Sequence, residues 1–126
     1  MRAWTWLDVG DALAIHERVL RVDGGASGVR DLGALSSAMA RAQQRSSYDQ
    51  DADLSDLAGA YTFGVVRDRP FVDGNKRTGF VLGILFLELN GGRFHADEAA
   101  AAQAVIDLAA RTLSENAYAQ FLRDNP

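Results

Sequence analysis

The chain has 126 residues, 48% of them hydrophobic and 24% charged, with a formal net charge of -4 and no cysteine. One domain spanning 1–126 with a single core is expected, and a disordered tail is not. The acidic balance argues against direct nucleic-acid binding, and the absence of cysteine excludes a disulfide frame or a thiolate metal site and fits a cytoplasmic protein.

In chain order, the opening stretch MRAWTWLDVGDALAIHERVL lacks the uninterrupted apolar core and small-residue cleavage site of a signal peptide. Residues 7–22 read as a first helix capped by Asp8, with Val9, Leu13, Ile15, His16, Val19 and Leu20 at helical spacing and Gly24-Gly25 as its stop. His16, beside apolar neighbours, reads as structural or partly exposed. The stretch 23–33, DGGASGVRDLG, reads as a flexible surface turn, since no P-loop Lys-Ser/Thr follows it. Asp31 is placed to cap a second helix through Leu35, Met39 and Ala42, followed by a polar turn in QQRSSYDQDADL. Asp53 or Ser55 then starts a third helix, Leu54 to Val66.

The most informative stretch follows, RDRPFVDGNKRTGFVLGILFLELNGG from Arg67 to Gly92. A fourth helix, Asn75 to about Asn90, is apolar nearly all round, so neighbours are expected to enclose it, and Asn90-Gly91-Gly92 stops it. Its longest apolar run, Phe80 to Leu87, is far short of the roughly 20 residues that a membrane span needs. Beyond an extended Arg93-Phe94-His95, an alanine-rich helix is expected from Asp97 to about Leu113, and a last short one begins at Ser114-Glu115. His95 beside Asp97 and Glu98 reads as a surface feature. The whole is expected to be all-α, a helical bundle built around the apolar fourth helix.

Chemistry concentrates where the loop Arg69-Pro70-Phe71-Val72-Asp73-Gly74-Asn75-Lys76-Arg77 enters that helix. Pro70 keeps Arg69 out of helical geometry, and Phe71 is expected to plug into the core as the anchor of the loop. Gly74 permits a tight turn, and Asn75 is a favoured residue at a helix start. Lys76 and Arg77 lie in the first turn, against the helix dipole. Two readings stand side by side. A bound di- or triphosphate would account for the cations and the open amides, with Asp73 as an oxygen ligand to magnesium; alternatively Asp73 and Asn75 cap a helix whose basic first turn is solvated.

The loop resembles the Fic/Doc family motif in its death-on-curing form, His-x-Phe-x-Asp/Asn-Ala/Gly-Asn-Lys-Arg, at Phe71, Asp73, Gly74, Asn75, Lys76 and Arg77. Ile15-His16-Glu17-Arg18 is similar to a Leu-His-Glu-Arg pattern on a scaffold helix of the family, with no catalytic role carried over. Residues 24–41 look like its GGxxGVRDxGxLxSAxAR stretch, which precedes or forms a flap for the target segment. The resemblance, from about Leu13 to Leu122, implies a compact bundle of six or seven helices and the toxin half of a toxin-antitoxin pair. It also implies ATP and magnesium as cofactors, phosphoryl transfer to a hydroxyl of elongation factor Tu that stops translation, and a cognate antitoxin whose tail folds as a helix in a groove.

One position departs. The motif opens with the histidine that serves as general base, and this chain has Arg69 there, which stays protonated at physiological pH. The resemblance therefore implies a catalytically impaired copy. An inactivating substitution is preferred over a natural non-catalytic relative, because the rest of the loop is intact. Lys76 and Phe80 stand where the AMP-transferring form of the family has glycine and a second arginine, which favours the kinase-like form. The alternatives carried forward are AMP transfer and a non-catalytic module that binds nucleotide or antitoxin. A helical domain without any ligand would leave the basic first turn unexplained.

Overall fold

Aspartates start the first three helices of the computed structural model, which describes residues 3–126. Asp8 caps α1 (Val9–Asp23) and exchanges hydrogen bonds with Asp11 in a reciprocal capping box. Asp31 caps α2 (Leu32–Tyr48) through the Ala34 amide. Asp53, rather than Ser55, caps α3 (Leu54–Asp68) in a second box with Asp56. Then come α4 (Asn75–Leu89), α5 (Glu98–Ala109) and α6 (Glu115–Asp124), the last capped by Ser114. Among the described residues the fold is all-helical, with six helices and no strand longer than an isolated bridge.

Two helix ends differ from expectation. α2 continues to Tyr48, through residues expected to turn, because Arg45 in its last turn is held by Asp49 at 3.6 Å and Asp56 at 3.8 Å. α5 stops at Ala109 rather than near Leu113. Arg111 takes a left-handed conformation (φ 64°), and the amides of Thr112 and Leu113 turn back onto the Asp107 carbonyl at 3.0 and 3.1 Å.

α3 is the most enclosed helix, with Leu57, Ala58, Tyr61, Val65 and Val66 among its buried residues, and α2, α4, α5 and α6 all pack on it. α4 lies against α3 along its small residues. A methyl group at Gly83 would come to 2.9 Å from the Ala58 carbonyl, so glycine permits the close approach, and the Thr62 hydroxyl donates to the Gly79 carbonyl at 2.7 Å. The opposite flank of α4, with Phe80, Val81, Ile84 and Leu85, is only partly buried, and Leu89 is 50% exposed. α1, α3 and α5 all pack on α4, with the closest approach to α3 and a partly buried flank elsewhere.

Near the far end of α4, Phe86 gathers Trp4, Trp6 and Tyr61, with ring centroids at 6.2, 5.6 and 5.0 Å. Burying such a ring contributes about 1.5–3 kcal/mol. Burial also pushes the Tyr61 hydroxyl up to about 12, and its oxygen accepts from the Leu7 amide at 3.0 Å. This packing fixes α3 against α4, so the loop joining them is held at both ends. No helix among the described residues is long and apolar enough to cross a membrane.

Candidate active site

The site begins where α3 ends. Arg69 leaves the helix in a left-handed conformation (φ 48°, ψ 57°), which for a side chain larger than glycine costs about 1–3 kcal/mol and must be held by its surroundings. Arg30 supplies that hold. Its Nε donates to the Arg69 carbonyl and its Nη2 to the Asp68 carbonyl, each at 2.7 Å, so one guanidinium holds the C-cap carbonyl and the last carbonyl of α3 and matches the helix's negative dipole. The Arg69 side chain is exposed at the site.

The segment before α2 is not a free surface turn. Val29 and Phe71 form an antiparallel bridge. The amides of Arg30 and Asp31 donate to the Pro70 carbonyl at 2.7 and 3.1 Å, and Val72 donates to the Gly28 carbonyl at 3.0 Å. The glycine-rich stretch is thus a strap along the back of the motif loop.

Phe71 is 1% exposed and sits in the core, stacked on the His16 ring. Asn75 does not cap α4. Its side chain is buried and turned back onto Phe71, accepting from the Phe71 amide at 3.0 Å and donating to the Phe71 carbonyl at 2.9 Å. The amide side chain imitates a strand neighbour and closes the loop over Asp73. The N-cap is Gly74, in a left-handed conformation (φ 77°, ψ 18°), and no side chain caps the helix.

That change of cap matters for chemistry. The first hydrogen bond back to the N-cap carbonyl is from Thr78 to Gly74, so the amides of Asn75, Lys76 and Arg77 precede the helical ladder and open outward. The Asn75 side chain is committed to the loop, and only its amide belongs to the open set. Lys76 and Arg77 are exposed; Arg77 lies 3.7 Å from the half-exposed Asp23, a weak contact that an anion can displace. Arg69, Asp73, Gly74, Lys76 and Arg77 line one cleft of about 560 Å³. A neighbouring cleft of about 530 Å³, with Phe80, Phe94, Val105 and Ile106 in its wall, shares Lys76 and Arg77 with the first.

Asp73 is the carboxylate of this cleft. Its Oδ1 accepts from the Gly74 amide at 2.9 Å and its Oδ2 from the Ala26 amide at 3.2 Å, which leaves each oxygen with acceptor capacity. Among the described residues no three carboxylates or imidazoles cluster as a ready-made metal cage. A single hard oxygen beside an anion pocket fits magnesium, which is commonly held by one carboxylate together with substrate phosphates.

The structure therefore brings Arg69, Asp73, Gly74, Lys76 and Arg77 together and sets Phe71 and the Asn75 side chain behind them. Sequence reasoning missed the role of Arg30, although it lay in the Gly-Val-Arg-Asp stretch, and the position of His16 against the loop, although it lay in Ile-His-Glu-Arg.

The chain is similar to known proteins over the region that holds this site. The family model for the Fic/DOC family matches residues 6–87, which run from before α1 nearly to the end of α4 and include His16, the strap and the motif loop but not the α5 wall of the clefts. The protein kinase doc of Escherichia phage P1 is 32% identical over 81 residues, covering 64% of each chain. Toxin Doc of Mycolicibacterium smegmatis (strain ATCC 700084 / mc(2)155) is 42% identical over 76 residues, 59% of this chain and 58% of that protein. The matched segment spans less than two thirds of the length of either relative.

Proposed function

The chain belongs to the Fic/DOC family, and from that premise we propose that it is a death-on-curing type toxin built to transfer a phosphoryl group from ATP to a protein hydroxyl, with Arg69 silencing the chemistry. The observation that carries the proposal is the cleft at the uncapped start of α4, where three open amides, Lys76 and Arg77 meet the Asp73 carboxylate. Amides, an ammonium and a guanidinium favour phosphate oxygens, and the adjoining cleft with Phe80 and Phe94 in its wall has room for a base. That pairing supports a nucleotide over free phosphate. The names of the two relatives, one a kinase and one a toxin, support the same reading.

In the reaction proposed, the oxygen of the acceptor hydroxyl attacks the terminal phosphorus of ATP. The bond from that phosphorus to its bridging oxygen breaks, and ADP leaves. The hydroxyl proton must pass to a base at position 69. Lys76, Arg77 and the α4 amides hold the phosphates and offset the charge that develops on them. Magnesium, when bound at Asp73, supplies charge neutralisation on the phosphates. Arginine at position 69 has no lone pair to receive the proton, so the chain as it stands binds but does not turn over. The acceptor proposed is a hydroxyl of elongation factor Tu, which would stop translation, and the partner proposed is an antitoxin whose tail folds as a helix in a groove of this domain.

Two readings remain in competition. AMP transfer would move the innermost phosphate; Lys76 in place of glycine argues against it. A module that only binds nucleotide or antitoxin is favoured by Arg69 itself. Label transfer separates them, with ATP labelled on the terminal or the innermost phosphate, elongation factor Tu as acceptor, and the chain run beside its Arg69→His variant. The proposal expects terminal label to move with the variant at about 10²–10⁴ times the rate of the parent, the usual contribution of a general base. Innermost label would mean AMP transfer, and no transfer by a folded variant would leave the binding module.

A further inference from the structure

His16 has no place in the chemistry just described, yet it is bound to the site more closely than any other residue of α1. It is 6% exposed, and the other buried polar residues among those described are two threonines and Asn75. Its ring lies parallel to that of Phe71, with centroids 3.8 Å apart and planes 9° from one another. Its Nε2 is 2.8 Å from the carbonyl oxygen of Asp73. A carbonyl can only accept, so the imidazole carries a proton on Nε2 and donates it there. The same ring approaches Gly74: a methyl group on that residue would meet His16 ring atoms at 3.7 Å.

These contacts converge on one peptide unit, Asp73–Gly74. On one side of that peptide stands the Asp73 carboxylate, and on the other begin the open amides of α4. A rotation of the unit would swing the carboxylate and the first amides in opposite senses. The left-handed Gly74 offers little resistance of its own, because glycine visits that region freely. The strap helps from one side, through the Ala26 amide on Asp73 Oδ2. Among the described residues, only His16 holds the peptide oxygen.

We infer that His16 is a positioning residue. Through its Nε2–H bond to the Asp73 carbonyl it fixes the Asp73–Gly74 peptide, so that the carboxylate and the α4 amides face the same magnesium–phosphate group. The stack on Phe71 sets the height of the ring and ties the bond to the core. This inference rests on the assignment of Asp73 to magnesium and of the α4 start to phosphate. The competing account is that His16 only fills space beside Phe71.

Two substitutions separate these accounts. His16→Phe keeps the ring, the volume and the stack but loses the donor; His16→Gln loses the ring but keeps an N–H that can reach the carbonyl. Each is compared with the parent chain and with Asp73→Ala by calorimetric titration of ATP with and without magnesium. Outer-shell partners of a metal ligand are typically worth about 10–100-fold in metal affinity, so the magnesium-dependent gain should fall by that factor in H16F and recover largely in H16Q. A folded H16F with the parent's magnesium dependence overturns the inference. Amide spectra of the ligand-free proteins provide the second arm: H16F should shift the signals of Asp73 to Arg77 and speed their exchange with solvent. If the parent itself binds no ATP, the nucleotide reading falls, and these spectra alone decide on His16. If H16F does not fold, the imidazole nitrogens of the parent decide: a slowly exchanging Nε2 proton coupled to the Asp73 carbonyl carbon supports the inference, and a proton on Nδ1 only overturns it.

Discussion

The two ends of α3 carry the same residue types in opposite arrangements. At its start, Asp53 and Asp56 form a capping box, and Arg123 from α6 reaches both, at 2.9 Å to each oxygen of Asp53 and 3.2 Å to Asp56. Arg41 and Arg45 from α2 meet Glu115 and Asp56 beside them. Every cation there has a carboxylate. Past the end of α3, the next helix starts without a side-chain cap, and neither Arg69 nor Lys76 has an ion pair among the described residues. At the start of α3 each of these cations is paired with a carboxylate, while past its end Arg69 and Lys76 are left without one among the described residues.

The largest effect expected on that contrast comes from the unsatisfied end. Replacing Lys76 and Arg77 together by alanine removes two charge-assisted contacts, each worth ~1.5–3 kcal/mol in a site, so ATP affinity should fall by about a hundredfold or more by calorimetry. The fold should not suffer. Basic residues in a first turn oppose the helix dipole by about 0.3–1 kcal/mol, so the thermal midpoint should hold or rise slightly. A fallen midpoint with unchanged affinity would make these cations structural and erase the contrast.

The paired end should respond the other way. Arg123→Met leaves the aliphatic stem and removes three hydrogen bonds to Asp53 and Asp56. Both partners are partly exposed, which limits the loss to about 1–2 kcal/mol, or roughly 3–6 °C in midpoint per kcal/mol. ATP affinity should be unchanged. A change in affinity would mean that the two ends of α3 are coupled through the helix.

What the sequence made legible follows the same division. Helix starts that depend on a residue three positions ahead, such as Asp8 with Asp11 and Asp53 with Asp56, could be placed from local pattern. The start of α4 could not. Asn75 satisfies the usual preference for a helix start, but its side chain is spent on Phe71 and the cap falls to Gly74, a backbone conformation that no neighbour announces. The motif loop itself stood out by composition, and its cations do share a cleft. Its supports did not stand out, because Arg30 reaches carbonyls 38 and 39 residues away and His16 one 57 residues away. The partly buried flank of α4 was hidden for a related reason: an apolar helix surface says that something can cover it, and α1, α3 and α5 together leave part of it half-exposed.

The smallest of the expected effects tests the paired end by titration. The Arg123 hydrogen bonds hold the Asp53 carboxyl at about 2, below its ordinary 3.8, against a smaller upward push from burial and with help from the Asp56 amide. A carboxyl held low in the folded state contributes stability that is fully present above 3.8 and is lost as pH falls through about 2. Its side chain is 47% exposed, so screening by water reduces the contribution to roughly 1 kcal/mol or less. Urea unfolding at stepped pH should therefore show stability declining across that window in the parent chain. The decline should be shallower in Arg123→Met, since the carboxyl then titrates nearer its ordinary value in both states. The Lys76 and Arg77 alanine variant should keep the parent's slope, because those side chains pair with neither Asp53 nor Asp56. Equal slopes in the parent and Arg123→Met would mean that the acid response arises elsewhere and that the pairing seen at Asp53 adds nothing measurable to the fold.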